Sequence, residues 1–155
     1  MEPVQVDGIE QLCELIGCEL GPTEWLEITQ DDIDKFADVS RDHQWIHVDA
    51  IRAGKESPYG TTVAHGNLTL SLVDYFRPQL IRNHGVKMGI NYGFDRVRFP
   101  AAVPAGSRVR ARAEIISVED LGEGWWHIGT KFTIEGEGQD KPVCVAESVG
   151  RALVP

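Results

Sequence analysis

No apolar run in this 155-residue sequence approaches the roughly 18–20 residues that a helix needs to cross a bilayer, so a membrane-spanning protein is not expected. Cysteine is scarce too. The three thiols, Cys13, Cys18 and Cys144, are odd in number and form no CxxC pair, which argues against a disulfide framework or a structural zinc site and for a reducing compartment. Basic side chains are outnumbered, 15 against 24 acidic, giving a formal net charge of -9. That balance disfavours nucleic acid or an anionic membrane as the main partner, while leaving room for a locally basic pocket that takes an anionic ligand. Residues 1–7 lack the basic and apolar stretches of a secretory signal, so a cytoplasmic protein is the expectation. Repeats, linkers and low-complexity segments are also missing, and residues 1–155 read as one domain. With 42% hydrophobic and 25% charged residues, such a domain can bury a core without disulfides or structural metal.

What is present divides into a helical first half and a strand-rich second half. Residues 7–17 suggest a short helix, and Trp25 to Ile28 a short strand. Thr29 reads as a helix N-cap, with Asp31 and Asp32 suited to the positive end of the dipole and Ile33, Phe36 and Ala37 forming the inward stripe. This helix is expected to reach about Ser40, followed by a loop over 42–48 and a short helix over 50–55 capped by Asp49. His65-Gly66 opens a long helix with Leu68, Leu72, Tyr75 and Phe76 on one face, which Pro78 should end or kink near Arg77. From Val86 the period becomes two. Met88, Ile90, Tyr92 and Phe94 alternate, and a phase slip near Asp95 predicts a β-bulge before Val97 and Phe99. Val109, Ala111, Ala113 and Ile115 face opposite Arg108, Arg110 and Arg112, and two further strands follow, one from Trp126 to Ile134 and one over 143–154. The simplest way to bury one apolar helix and four long strands is an α+β fold, a strongly curved antiparallel sheet wrapped around the helix.

Three features bear chemistry. Asp42 and His47 lie on the loop after the capped helix: a carboxylate and an imidazole can together hold a water, take its proton and return it elsewhere. Equally, Asp42 can cap a turn while His47 is an ordinary core histidine. His43 and His47 lie four apart, but the glutamate of a HExxH zinc helix is absent and Trp45 lies between them, so no metal is expected. Gly66 starts a helix whose first amides lack internal partners, a place where a thioester oxygen gaining charge would be stabilised, or where glycine merely permits tight packing. Arg96 and Arg98, like Arg108, Arg110 and Arg112, are either phosphate contacts or a solvated strand face.

The stretch Phe36-Ala37-Asp38-Val39-Ser40-Arg41-Asp42-His43-Gln44-Trp45-Ile46-His47, with Ala53 beyond it, carries a recognisable frame. It resembles the MaoC-like hydratases, the (R)-specific enoyl-CoA hydratases of hot dog fold. Thr62-Val63-Ala64-His65-Gly66 is similar to that family's helix-opening segment, and the run from Val97 through Phe99-Pro100 to Gly106 to its Pro-containing element. The string Asp42-His43-Gln44-Trp45-Ile46-His47 is similar in particular to the nodulation protein N-like subgroup. Gln44 and Trp45 stand where the wider family has Asn and Pro, which implies a different pocket wall and acyl preference. The family's later serine is not clearly matched, since Ser71 is near but Asp74 holds the aligned position.

The resemblance implies reversible hydration of a trans-2-enoyl-CoA to a (3R)-3-hydroxyacyl-CoA in fatty acid metabolism. Asp42 and His47 would be catalytic, and Gly66, His65 and Gln44 would form the oxyanion and substrate-binding wall, His65 chiefly as a structural residue that holds the helix start. Arg96 and Arg98 would be candidate contacts to the phosphates of coenzyme A. Coenzyme A would enter only as part of the substrate, with no metal or redox cofactor, and a homodimer is implied. Two rivals follow from the same fold. A hot dog thioesterase would use a carboxylate on the central helix, such as Asp74, and a non-catalytic module would bind acyl-CoA without converting it.

Overall fold

The computed structural model describes residues 1–155. In chain order its elements are β1 (Val4–Val6), α1 (Gly8–Glu14), β2 (Glu19–Leu20), β3 (Leu26–Glu27), α2 (Gln30–Ser40), α3 (Trp45–Val48), α4 (Ala50–Glu56), α5 (Gly66–Ser71), α6 (Val73–Leu80), β4 (Ile81–Asn83), β5 (Met88–Arg98), β6 (Arg108–Gly122), β7 (Trp125–Gly136) and β8 (Cys144–Leu153). The main sheet is antiparallel, in the order β2-β6-β7-β8-β5, and β3 also pairs with β6. β1 and β4 form a small parallel pair that had no signal in the alternation. No helix is long and apolar enough to cross a membrane.

The core lies between the concave sheet face and α5–α6. Leu68, Val73, Phe76 and Leu80 pack against Val109, Ala111, Ala113, Phe132, Ile134, Cys144 and Ala146, one apolar cluster. The alanines leave room for the helix to approach the sheet, where each methylene counts at interior packing density. This is a hot dog fold, as expected. On the convex face, Arg108 pairs with Glu137, and Arg110 and Arg112 share Glu135, so these arginines form a cross-strand ion-pair ladder and not a phosphate cradle. The guanidiniums of Arg108 and Arg112 hold their protons above the usual range, chiefly through hydrogen bonds to Glu137 and Glu135.

Three expectations are corrected. The central helix is interrupted: Leu72 separates α5 from α6, and its amide bonds back to Thr69 as in a tighter turn, while the Ser71 hydroxyl donates to the Leu68 carbonyl at 2.6 Å. Pro78 does not end α6, which gives up one backbone bond there and runs on to Leu80. Finally, Met88, Ile90, Tyr92 and Phe94 do not share a face. A second register shift lies between Asn91 and Gly93, so Tyr92 is an extra residue. Ile90 therefore pairs with Arg151 on the outside, while Phe94 pairs with buried Ser148 on the inside. The shift expected near Asp95 is also there, between Phe94 and Arg96.

Candidate active site

The segment holding Asp42 and His47 is built by α2. Its N-cap Thr29 forms a capping box with Asp32, and Ile33 and Ala37 bury its inner face. The helix stops where Arg41 turns left-handed, with φ 67°. The Asp42 carboxylate then accepts from the Gln44 amide at 3.2 Å, an Asx turn that opens α3. α3 was expected to be loop. It is one helical turn, and it carries His47 inward to 7% exposure.

His47 Nδ1 donates to the Val63 carbonyl at 2.6 Å. A carbonyl accepts only, so Nδ1 carries a proton, and it is Nε2 that is left to face Asp42. Nε2 lies 4.0 Å from Asp42 Oδ2, too far for a direct hydrogen bond and suited to one intervening water. The carboxylate is half exposed and open to solvent and substrate. Gln30 fixes the turn from below: its amide donates to the His47 carbonyl at 2.8 Å and its oxygen accepts from the Thr62 hydroxyl. Gln30, Thr62 and the Val63 carbonyl were not foreseen, since a main-chain acceptor leaves no mark in a sequence and a glutamine in a first helical turn suggests only capping.

His65 is 3% exposed, donates from Nε2 to the Asp42 carbonyl at 2.9 Å, and stacks on His47 with ring centroids 3.8 Å apart and an interplanar angle of 21°. Asp42, His47 and His65 thus bring ligand-type atoms within 4.8 Å of one another. His47 Nδ1 and His65 Nε2 are each committed to a main-chain carbonyl, and the two rings are stacked on one another rather than splayed around a common centre.

A cavity of ≈ 310 Å³ joins His47 to Gly66 and is walled by Tyr59, Phe99, Ala101 and Val143 among others. The Gly66 amide finds no acceptor within the chain. Gly66 is needed for space, because a Cβ there would come within 2.9 Å of the Phe99 ring. Tyr59 and Phe99 escaped the sequence reading as site residues. Gln44 and Trp45 were expected to shape the pocket and do not line it. Gln44 acts through its main chain, its amide serving Asp42 and its carbonyl accepting from the His47 amide, and Trp45 is covered by the Arg52 guanidinium at 4.2 Å. Asp74 lies apart as well. It faces Arg77 at 3.8 Å in a separate cavity with Ile90, Asn91 and Arg151. Arg96 and Arg98 sit on the outer face of β5 beside Lys131 and Glu147, not in the cavity of His47, although Arg98 adjoins Phe99, which is.

A curved sheet around a central helix, with a carboxylate–imidazole pair opening on the helix start, defines a hot dog protein equipped for acid–base chemistry. The family described as MaoC like domain matches residues 13–131, and the chain belongs to that dehydratase family. It is 48% identical over 145 residues to 3-hydroxyacyl-thioester dehydratase Z of Mycobacterium tuberculosis, covering 94% of this chain and 95% of that one. It is 44% identical over 134 residues to nodulation protein N of Rhizobium leguminosarum bv. viciae, covering 84% and 82%. Among solved structures, the (R)-hydratase from A. caviae involved in PHA biosynthesis superposes with a TM-score of 0.66 at 22% identity, covering 90% of this chain and 98% of that one.

Proposed function

We propose that this protein catalyses reversible, (R)-specific hydration of trans-2-enoyl-CoA to (3R)-3-hydroxyacyl-CoA. The observation that carries the reading is the 4.0 Å gap between Asp42 Oδ2 and Nε2 of His47. A water in that gap gives up a proton to the pair as its oxygen bonds to C3. The C2–C3 π electrons move toward the thioester, whose oxygen gains charge beside the free Gly66 amide. A proton then reaches C2 from the same side, from the pair that took one from water. The chemistry asks for no metal or redox cofactor, and coenzyme A is only the carrier.

The acyl end fits the apolar cavity past Tyr59 and Phe99. Arg96 and Arg98, at the outer side of the strand that leads to Phe99, are the candidate contacts for the carrier's phosphates. The relative named a 3-hydroxyacyl-thioester dehydratase supports the substrate class. Three free thiols suit a cytoplasmic setting in fatty acid metabolism. The free edge of β5 suits a homodimer.

The test is turnover of crotonyl-CoA, followed by loss of enoyl absorbance with chiral analysis of the product. Asp42→Asn and His47→Gln should each lower kcat by about 10²–10⁴-fold while the circular dichroism stays that of the wild type. Near-wild-type turnover in either variant defeats the assignment. Thiol release from the substrate would indicate a thioesterase instead, and saturable binding without conversion a binding module.

A further inference from the structure

We infer that His65 is the positioning residue that sets the separation of Asp42 and His47, an inference that rests on the acid–base reading above. Asp42 has little else to hold it. Its carboxylate is half exposed. Its local hydrogen bonds are long, 3.3 Å from its amide to the Ser40 hydroxyl and 3.2 Å from the Gln44 amide to its carboxylate. The one hydrogen bond to Asp42 from a distant part of the chain is the 2.9 Å bond that His65 Nε2 donates to its carbonyl.

His65 itself has nowhere to go. Its ring lies between His47, at 3.8 Å, and Phe36, at 4.9 Å. Two residues earlier, the Val63 carbonyl holds His47 Nδ1. A single short segment, Val63-Ala64-His65, therefore grips both members of the pair. That segment is anchored in turn by the Val63 amide to the Ile46 carbonyl at 3.0 Å and the Ala64 amide to the Val103 carbonyl at 2.8 Å. The distance across which a water must be held is thus fixed by three consecutive residues.

The hydrogen bonding supports the role. His65 donates from Nε2, and its Nδ1 is the one buried side-chain nitrogen or oxygen without a partner. Leaving it unpaired costs stability. A phenylalanine would fill the same space without that cost. What it would not supply is the Nε2–H that reaches Asp42.

The experiment compares His65→Phe, which keeps the stack and loses the donor, with His65→Gln, which loses the ring and keeps a side-chain N–H at similar reach. For crotonyl-CoA, the Phe variant should lose roughly 10–100-fold in kcat with KM nearly unchanged, and the Gln variant should recover most of it. Thermal stability should run the other way, with Phe at or above Gln. A packing role predicts that activity follows stability, so wild-type kcat in the Phe variant, or kcat falling in step with Tm, overturns the inference. A substrate-free arm separates this from the hydration reading. The nuclear Overhauser contact between the Asp42 and His47 side chains should persist in the wild type and the Gln variant and weaken in the Phe variant. If it persists equally in all three, the positioning role fails. If it follows the expected order while the wild type turns over no enoyl thioester, the hydration reading fails and the positioning role stands.

Discussion

Cys144 occupies an inward position on β8 with 0% exposure, against helix and sheet side chains of the main core. Burial disfavours the thiolate and pushes its pKa up to about 11. Cys13 and Cys18 are exposed. At pH 8 an aromatic disulfide reagent should therefore titrate two thiols in the native protein and the third only after unfolding; three fast thiols would mean that the core around β8 opens readily. The linkage has a definite sign. The folded thiol holds its proton above the unfolded value of roughly 8.5, so this contribution to stability is complete below that pH and is lost as pH rises toward about 11. Residues of this kind were legible only in part. Asp42 and His47 stood out because histidines are few, five in the chain, and the frame around the pair is distinctive, yet spacing alone allowed a turn cap and a core histidine. The residues that make them a pair, Gln30, Thr62 and the Val63 carbonyl, have no chemical signature until the fold brings them in.

At the level of elements, the start of α5 is the sharpest constraint. Gly66 packs its Cα against the ring of Phe99, and a Cβ there would sit 2.9 Å from Cε2. The ring is partly exposed, so it can yield, but it lines the cavity shared with His47. Gly66→Ala should therefore displace Phe99 rather than unfold the protein. We expect kcat/KM for crotonyl-CoA to fall roughly ten- to a hundredfold with little change in Tm. A large drop in Tm with proportionate activity loss would instead place the strain in the helix–sheet packing. α2 was legible from sequence because its start signal is local: Thr29 and Asp32 make a capping box that any sequence can announce. β5 was legible in extent but not in face. Alternation assigns sides by counting residues, and the extra residue at Tyr92 reverses the count without changing a single apolar position. The break at Leu72 was hidden for a related reason, since the apolar stripe of a helix survives a tightened turn.

That reversed face bears on the proposed pairing of the whole molecule with a second copy. β5 closes one side of the sheet and pairs only with β8, so the other side of an 11-residue strand has no partner in the chain. Met88, Ile90 and Tyr92 are exposed along it. An open strand edge flanked by apolar side chains invites pairing with an identical edge, and two-fold symmetry makes such a contact self-complementary. The bulges at Tyr92 and Asp95 restrict the register that can pair, which favours one closed dimer over open-ended strand addition. The wild type is therefore expected to sediment at twice the 17.2 kDa chain mass. Ile90→Glu places a carboxylate at that seam, beside the cavity of Asp74 and Arg77, without entering the main core of the subunit. It should shift sedimentation to the single-chain mass while far-ultraviolet circular dichroism stays unchanged. A wild type that sediments as a single chain at micromolar concentration, or an Ile90→Glu variant that stays paired, would put the interface on another face. The activity of the separated Ile90→Glu chain is informative in its own right. Asp42, His47, His65 and Gly66 all come from one chain, so turnover should survive separation unless the partner closes the cavity near Tyr59 and Phe99.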